Sequence, residues 1–408
     1  MRKFYLPFAA LLVSAGMVLA APGRPDPKTV TPGLKKYNSP VYIIYTDVED
    51  DDAKETILRM TKMAFEYHER TKSLFSGQIS QQLPFYLFSK YNDYLKASQM
   101  PGSAGIFTGD SLMASARRDD KGRISYLTWH VVQHEGFHQF VYAVIRGEIP
   151  TWVNEGLAEY FAEAMFTGDG MVTGMISADR LKRIKSGIES GSFKSVKEMM
   201  NTSHQEWNAV MTDNAQAMRN YDQAWSMVHF LAQGEKGKYQ DAFARFLQLV
   251  GKGNPWEKAW IGSFGSVEGF EQKWKDYWTS MPENPTIDLY AKAVVSTLTS
   301  FAGRSFSQKD GFDSYAEFIK HDAKSLKAAP ADWLPPALYD EMKQLAEQLE
   351  SRGAKFSFVK SKSPLPQLMC VMEDGTKIIG TFTLQGNRIG KVSAEVIKPA
   401  DEKKVEKK

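Results

Sequence analysis

His134 and His138 stand four positions apart, with Glu135 directly after the first, in the run Val131-Val132-Gln133-His134-Glu135-Gly136-Phe137-His138-Gln139-Phe140. On a helix, side chains at i and i+4 leave the same face about one turn apart. Both imidazoles can therefore reach a single cation, while Glu135 lies beside that cation and not on it. Imidazole nitrogen suits Zn²⁺, which prefers four ligands and in hydrolytic sites keeps one position for water, so one protein ligand remains to be found. The run Pro150-Thr151-Trp152-Val153-Asn154-Glu155-Gly156-Leu157-Ala158-Glu159-Tyr160-Phe161 offers it. Sixteen residues separate His138 from Glu155. That is enough for the first helix to finish near Arg146-Gly147, for a turn, and for a second helix to bring its first turn back alongside the histidines. Glu159 falls four residues later on the same face, where its carboxylate can accept the second ring N–H of a ligand histidine and fix the tautomer. The alternative is a core helix whose histidines only hydrogen-bond. It would bury His134, Glu135 and His138 together without a cation and leave costly polar groups unmatched.

The pair HEGFH and WVNEGLAEYF resembles the gluzincin zinc peptidases of the peptidase MA clan. More narrowly, it resembles the secreted bacterial peptidase-MA-like proteins, many of them known only as a domain of unknown function. The likeness spans roughly residues 40 to 282. It implies an α+β, zincin-like metallopeptidase domain: a mixed sheet with an active-site helix, then a helical subdomain. It further implies that His134, His138 and Glu155 bind zinc, that Glu135 is the general base, and that the substrate is a peptide or protein. In such enzymes an edge strand ahead of the zinc helix holds extended substrate by main-chain pairing, which points here to residues near Leu112 to Ala116; a strand used only for folding is the alternative. Tyr221, on a helix that resembles the one following the metal site in these proteins, would donate a hydrogen bond to the oxyanion. A plain core tyrosine is the alternative there, with His204 as a rival donor and His229 a structural histidine. Gly136 departs from helix preference by about 1 kcal/mol relative to Ala in an exposed helix. A backbone or substrate passing close by would account for it.

The elements that must position these groups follow in chain order. Val41 to Tyr45 and Pro84 to Phe88 are short β-favouring runs. Between them Asp50-Asp51-Asp52 heads a helix reaching about Leu74; contiguous carboxylates lack the alternating spacing and glycine of a calcium loop and suit a helix N-terminus. Ser89 to Ser98 reads as a short helix, and Ile106-Phe107 with Leu112 to Ala116 as an antiparallel segment leading to the zinc helix. Beyond the second motif the pattern predicts helices over Ser177 to Gly187, Ser195 to Met200, Tyr221 to Leu231, Tyr239 to Val250 and Val267 to Ser280, with Trp274 and Trp278 as packing anchors. After Pro282-Glu283-Asn284-Pro285 come a helical segment over 286–352 (Asp288 to Phe301, Phe312 to Leu326, Leu338 to Ser351) and an antiparallel β meander over 355–397. Residues 398–408 are a charged, disordered tail. The peptidase domain that the resemblance implies would occupy residues 40–282, preceded by a flexible Pro/Gly/Lys-rich arm over 21–39.

Composition bounds the rest. The 408 residues are 43% hydrophobic, enough for a large core or two, and Lys+Arg 51 against Asp+Glu 48 are interleaved, so nothing argues for nucleic acid. Met1-Arg2-Lys3 ahead of an apolar run to Leu19 reads as a Sec-type signal peptide cleaved after Ala20. It is too short to span a membrane comfortably, and the mature chain is expected to be secreted or periplasmic with no stable span. The one cysteine, Cys370, forms no internal disulfide in an oxidising compartment and sits among apolar residues as a core thiol. A rival of another class is a zinc-retaining cell-envelope scaffold that binds through the C-terminal meander; it has no chemical use for Glu135.

Overall fold

The computed structural model describes residues 24–75, 77–145, 149–359 and 365–399. It divides into two compact units, one formed by residues 1–163 with 176–285 and the other by 164–175 with 286–408.

The first unit is built on a five-stranded mixed sheet. Pro27–Val30 (α1) is capped by the Asp26 side chain, and Lys35–Asn38 (β1) then pairs antiparallel with Tyr42–Thr46 (β2). Asp50–Thr71 (α2), Leu83–Phe88 (β3), Tyr91–Ser98 (α3), Gly105–Phe107 (β4) and Leu112–Ser115 (β5) follow. The spatial order is β1-β2-β3-β5-β4, with β2, β3 and β5 parallel and an antiparallel strand at each edge. Ile44, Phe85, Leu87, Leu112 and Ala114 line one face and pack on Met60 and Ala64 of α2 and on Trp129 and Val132 of the next helix, Tyr126–Val144 (α4). Tyr86, Phe88, Ile106 and Met113 line the other face, under Tyr94 and Ala97 of α3. Asp50, Asp51 and Asp52 occupy the first turn of α2 and are paired with Lys35, Lys54 and Arg118, as suits a helix N-terminus.

Two expectations are corrected here. The stretch 21–39 is not a structureless arm in its described part: β1 extends the sheet, with Lys35 and Tyr37 both bonded to Asp50 at the head of α2. Its sequence, KKYN, has no apolar alternation because an edge strand needs burial on little of its surface. Leu112 to Ala116 is not an edge either, since β5 lies between β3 and β4 and its hydrogen-bonding groups are engaged on both sides; the edge strand on that side of the sheet is β4. A hairpin read from sequence does not say which arm the parallel strand will choose.

Thr151–Ala162 (α5) follows α4, and the remainder of this unit is helical: Ala178–Glu189 (α6), Val196–Asn201 (α7), His204–Ala209 (α8), Asn214–Gly237 (α9), Gln240–Gly251 (α10), Trp256–Phe264 (α11) and Val267–Ser280 (α12). Ser177, Ser195 and Ser203 cap α6, α7 and α8, the last two through full capping boxes with Glu198 and Glu206. Trp274 and Trp278 of α12 are buried and donate to Ser226 Oγ and Ser226 O of α9, each at 3.1 Å, which fixes α12 along α9.

In the second unit a hairpin, Met165–Phe166 (β6) and Met171–Val172 (β7), interrupts the chain between α5 and α6. Asp169 at its turn accepts two hydrogen bonds from Arg304 at 2.8 and 2.9 Å. Arg304 belongs to Ile287–Ser307 (α13). Tyr315–Phe318 (α14) and Pro336–Glu350 (α15) follow, then Lys355–Val359 (β8), Gln367–Val371 (β9), Lys377–Gln385 (β10) and Arg388–Ile397 (β11), a four-stranded antiparallel meander in the order β11-β10-β9-β8. The helix expected over Phe312 to Leu326 is a single turn, α14, because the Asp322 side chain binds the Lys324 and Ser325 N–H groups and closes an Asx turn in place of a helix. Cys370 is a buried free thiol on β9. Among the described residues no helix is long and apolar enough to cross a membrane; the expected signal peptide and most of the charged tail lie outside them.

Candidate metal centre

The Ser125 side chain caps α4, which is buried along almost its whole length, and α5 starts at Thr151 and runs back against it. The return brings three donors together. His134 Nε2 and His138 Nε2 are 3.1 Å apart, and Glu155 Oε2 lies 3.5 Å from the first and 3.6 Å from the second. Donors arranged tetrahedrally about a zinc ion, at zinc's usual bond lengths, are separated by about 3.3–3.5 Å, so the triangle has the right size. All three side chains are buried, and neither carboxylate oxygen of Glu155 takes a hydrogen bond. A buried ionised carboxylate without a donor is costly unless it faces a cation, so the donor set fits a divalent metal.

A second layer orients these donors. His138 Nδ1 is 3.2 Å from Asn154 Oδ1, and His134 Nδ1 is 2.9 Å from Glu159 Oε1. The other oxygen of Glu159 is bound by Arg180 of α6, whose guanidinium also reaches Glu163 Oε1 at 2.8 Å and Asp222 Oδ1 at 3.0 Å. Arg183 holds Asp222 Oδ2 at 2.6 Å, and the Arg180 guanidinium lies 4.8 Å over the Trp225 ring. His130 Nε2 stands 3.8 Å from Glu163 Oε1. Burial alone would favour the neutral forms of His134, Glu155 and Glu159, but the opposite charges around them outweigh it. At His134, burial is overcome by the contacts with Glu155 and Glu159, and the pKa rises to about 10. At Glu155 it is overcome by His138 and His134, and the pKa falls to about 2. Glu159 is likewise held well below the usual range, against burial, by Arg180 and then His134.

Glu135 behaves differently. Burial lifts its pKa above the ordinary carboxyl value despite the pull of His134 and His138, and the Phe107 N–H of edge strand β4 donates to its Oε2 at 2.9 Å. Gly105 on the same strand allows the close packing of β4 on α4: a Cβ there would collide with Val131 Cγ1 at 2.3 Å.

Tyr221 is buried on α9 with its ring edge-on to His134, the centroids 5.9 Å apart, and its hydroxyl 3.8 Å from Met211 Sδ. Gly156 makes this closeness possible, because a Cβ there would meet Ala224 O and Val228 Cγ2, each at 2.6 Å, and push α9 away from α5. His229 lies further along α9 against Trp225, Trp278 and Tyr160, among packing aromatics. His204 sits on α8 beside Asn208. At Gly136 the close protein neighbours are side chains and not backbone: Met60 Cε at 3.1 Å and the Tyr67 hydroxyl at 3.2 Å from where a Cβ would stand. Arg180, Glu163, Asp222, Asn154 and the Phe107 amide escape sequence reasoning. Only Glu163 carries a signal, as the third glutamate in a series spaced by four on α5.

Residues 129–257, from the first turn of α4 to the start of α11, match a family model described as a protein of unknown function, DUF1570. The matched segment contains both motifs, Arg180 and Tyr221. No curated protein matches the chain.

Proposed function

We propose that this chain is an exported zinc metallopeptidase of the gluzincin kind, with a zincin-like first unit. The observation that carries the reading is the triangle of His134, His138 and Glu155 donors, 3.1 to 3.6 Å on a side, with the Glu135 carboxylate adjoining it on the next helix position. Two imidazoles and one carboxylate form a donor set typical of catalytic zinc. Bound there, zinc would polarise a substrate carbonyl and make water acidic enough to be deprotonated near neutral pH.

The chain's own residues supply the rest. Glu135, tethered through Oε2 to the β4 backbone, takes the proton of the attacking water and then, as the acid, passes it to the leaving amine. A carboxyl whose pKa is lifted by burial suits both halves of that transfer. The Tyr221 hydroxyl, on a ring that lies edge-on to His134 and 3.8 Å from the Met211 sulfur, donates to the tetrahedral oxygen of the substrate. Of the sheet's two edge strands, β4 is the one bonded to Glu135, and it would pair main chain to main chain with an extended peptide. Export rests on the Met1-Arg2-Lys3 leader and the apolar run after it.

The test is metal analysis of the mature chain combined with digestion of a mixed peptide library. One zinc per chain and internal cleavage are expected, with Glu135→Gln keeping the metal and losing turnover by at least about 10²-fold. Unchanged cleavage by Glu135→Gln would remove the reading.

A further inference from the structure

We propose that Arg180 is a positioning residue for the metal centre: its guanidinium sets the Glu159 carboxylate against ligand His134 and, through Asp222, seats the helix that carries Tyr221. The proposal rests on the metallopeptidase reading and extends it to a residue outside both motifs. Arg180 comes from α6 and is buried; its Nη2 binds Glu159 Oε2, its Nη1 binds Glu163 Oε1 at 2.8 Å, and its Nε binds Asp222 Oδ1 at 3.0 Å. Glu159 turns its remaining oxygen to His134 Nδ1 at 2.9 Å. Asp222 is the residue after Tyr221, and Arg183 completes its bonds at 2.6 and 2.9 Å. One planar cation thus joins the partner of a metal ligand on α5 to the turn of α9 that presents Tyr221.

Bulk stability does not require such a group, because buried ion clusters can often be replaced by apolar packing without loss. A guanidinium adds direction: fixed N–H vectors in one plane, which an ammonium does not reproduce. Partners that orient a ligand histidine change metal affinity by about 10–100-fold when removed.

The experiment measures zinc affinity by chelator competition on the full mature chain, with near-UV circular dichroism as the check on folding. Arg180→Lys is expected to fold and to bind zinc about 10–100-fold more weakly. In a Glu159→Gln background the same change is expected to cost less than about 2-fold more, because the path through Glu159 is already cut. Asp222→Asn leaves the Glu159 contact in place and is expected to keep zinc affinity while lowering kcat at unchanged KM. A folded Arg180→Lys with wild-type zinc affinity overturns the proposal, as does an equal loss in both backgrounds. If Arg180→Lys does not fold, Glu159→Gln and Asp222→Asn decide: zinc loss in the first with kcat loss alone in the second supports the proposal, and any other pattern overturns it. A wild-type chain that takes up no zinc defeats the metallopeptidase reading itself, an outcome distinct from zinc uptake that is indifferent to residue 180.

Discussion

Along the seam between α4 and α5 the same two residue types repeat at helical spacing: His130, His134 and His138 on one side, Glu155, Glu159 and Glu163 on the other. The two ends of this seam are nevertheless solved differently. At one end, Glu155 faces both His134 and His138, and neither of its oxygens takes a hydrogen bond. At the other, Glu159 and Glu163 are both answered by the guanidinium of Arg180, with His130 standing 3.8 Å from Glu163. Buried carboxylates need a cation, and the comparison shows that residue type and spacing do not decide which one. A third helix, α6, supplies an arginine at one end, while the other end has the donor set and dimensions of a metal site.

The sharpest way to break this contrast is to remove a carboxylate from each end. Glu155→Ala is expected to abolish tight zinc binding, read as near-zero metal after dialysis against a chelator, with the fold retained when metal is absent from both proteins. Glu163→Ala leaves Arg180 short of a partner in a buried site and is expected to cost about 3–5 kcal/mol of stability, measured by urea unfolding, while zinc still binds. The opposite outcome, with the metal lost at 163 and stability lost at 155, would mean that the two ends have been assigned the wrong way round.

A smaller effect tests the seam from outside. Gly156→Ala must move α9 off α5, because its Cβ would lie 2.6 Å from Ala224 O, and about 1–3 kcal/mol of destabilisation is expected. Gly136→Ala meets only the ends of Met60 and Tyr67 at 3.1 and 3.2 Å and should cost less. Equal costs would contradict the close approach of α5 and α9. The smallest effect is in pH. Burial favours the protonated form of Glu163, but Arg180 and then His130 outweigh it, so its folded pKa lies below the ordinary 4.5. Its contribution to stability is therefore complete above that value and is lost as pH falls through the lowered folded pKa. The slope of Tm against pH below 4.5 should flatten in Glu163→Gln; a variant with the wild-type slope would place the acid sensitivity elsewhere.

How much of this was legible beforehand depends on where each contact comes from. His134, Glu135, His138, Glu155 and Glu159 are brought together by the periods of two consecutive helices, which spacing alone reveals. The buried Trp274 and Trp278, the C-terminal meander and most of the later helices follow from apolar periodicity in the same way. Arg180 and Asp222 converge on Glu159 from α6 and α9, across loops whose course no local pattern encodes. β1 is not legible in the sequence, because a polar edge strand lacks the alternation that marks a half-buried one. Nor does the sequence show that the outer arm of this hairpin is β4 and not β5, because strand order in space is a property of packing. At residues 312–326 the apolar spacing suggested a helix, and local side-chain bonds from Asp322 prevailed.

The most direct measurement is anomalous diffraction at the zinc absorption edge from crystals of the mature chain grown with one equivalent of zinc. The expected result is a single strong peak about 2.0–2.2 Å from His134 Nε2, His138 Nε2 and a carboxylate oxygen of Glu155. A peak elsewhere, or none with these three side chains still converging, would contradict the assignment of this site to a catalytic metal.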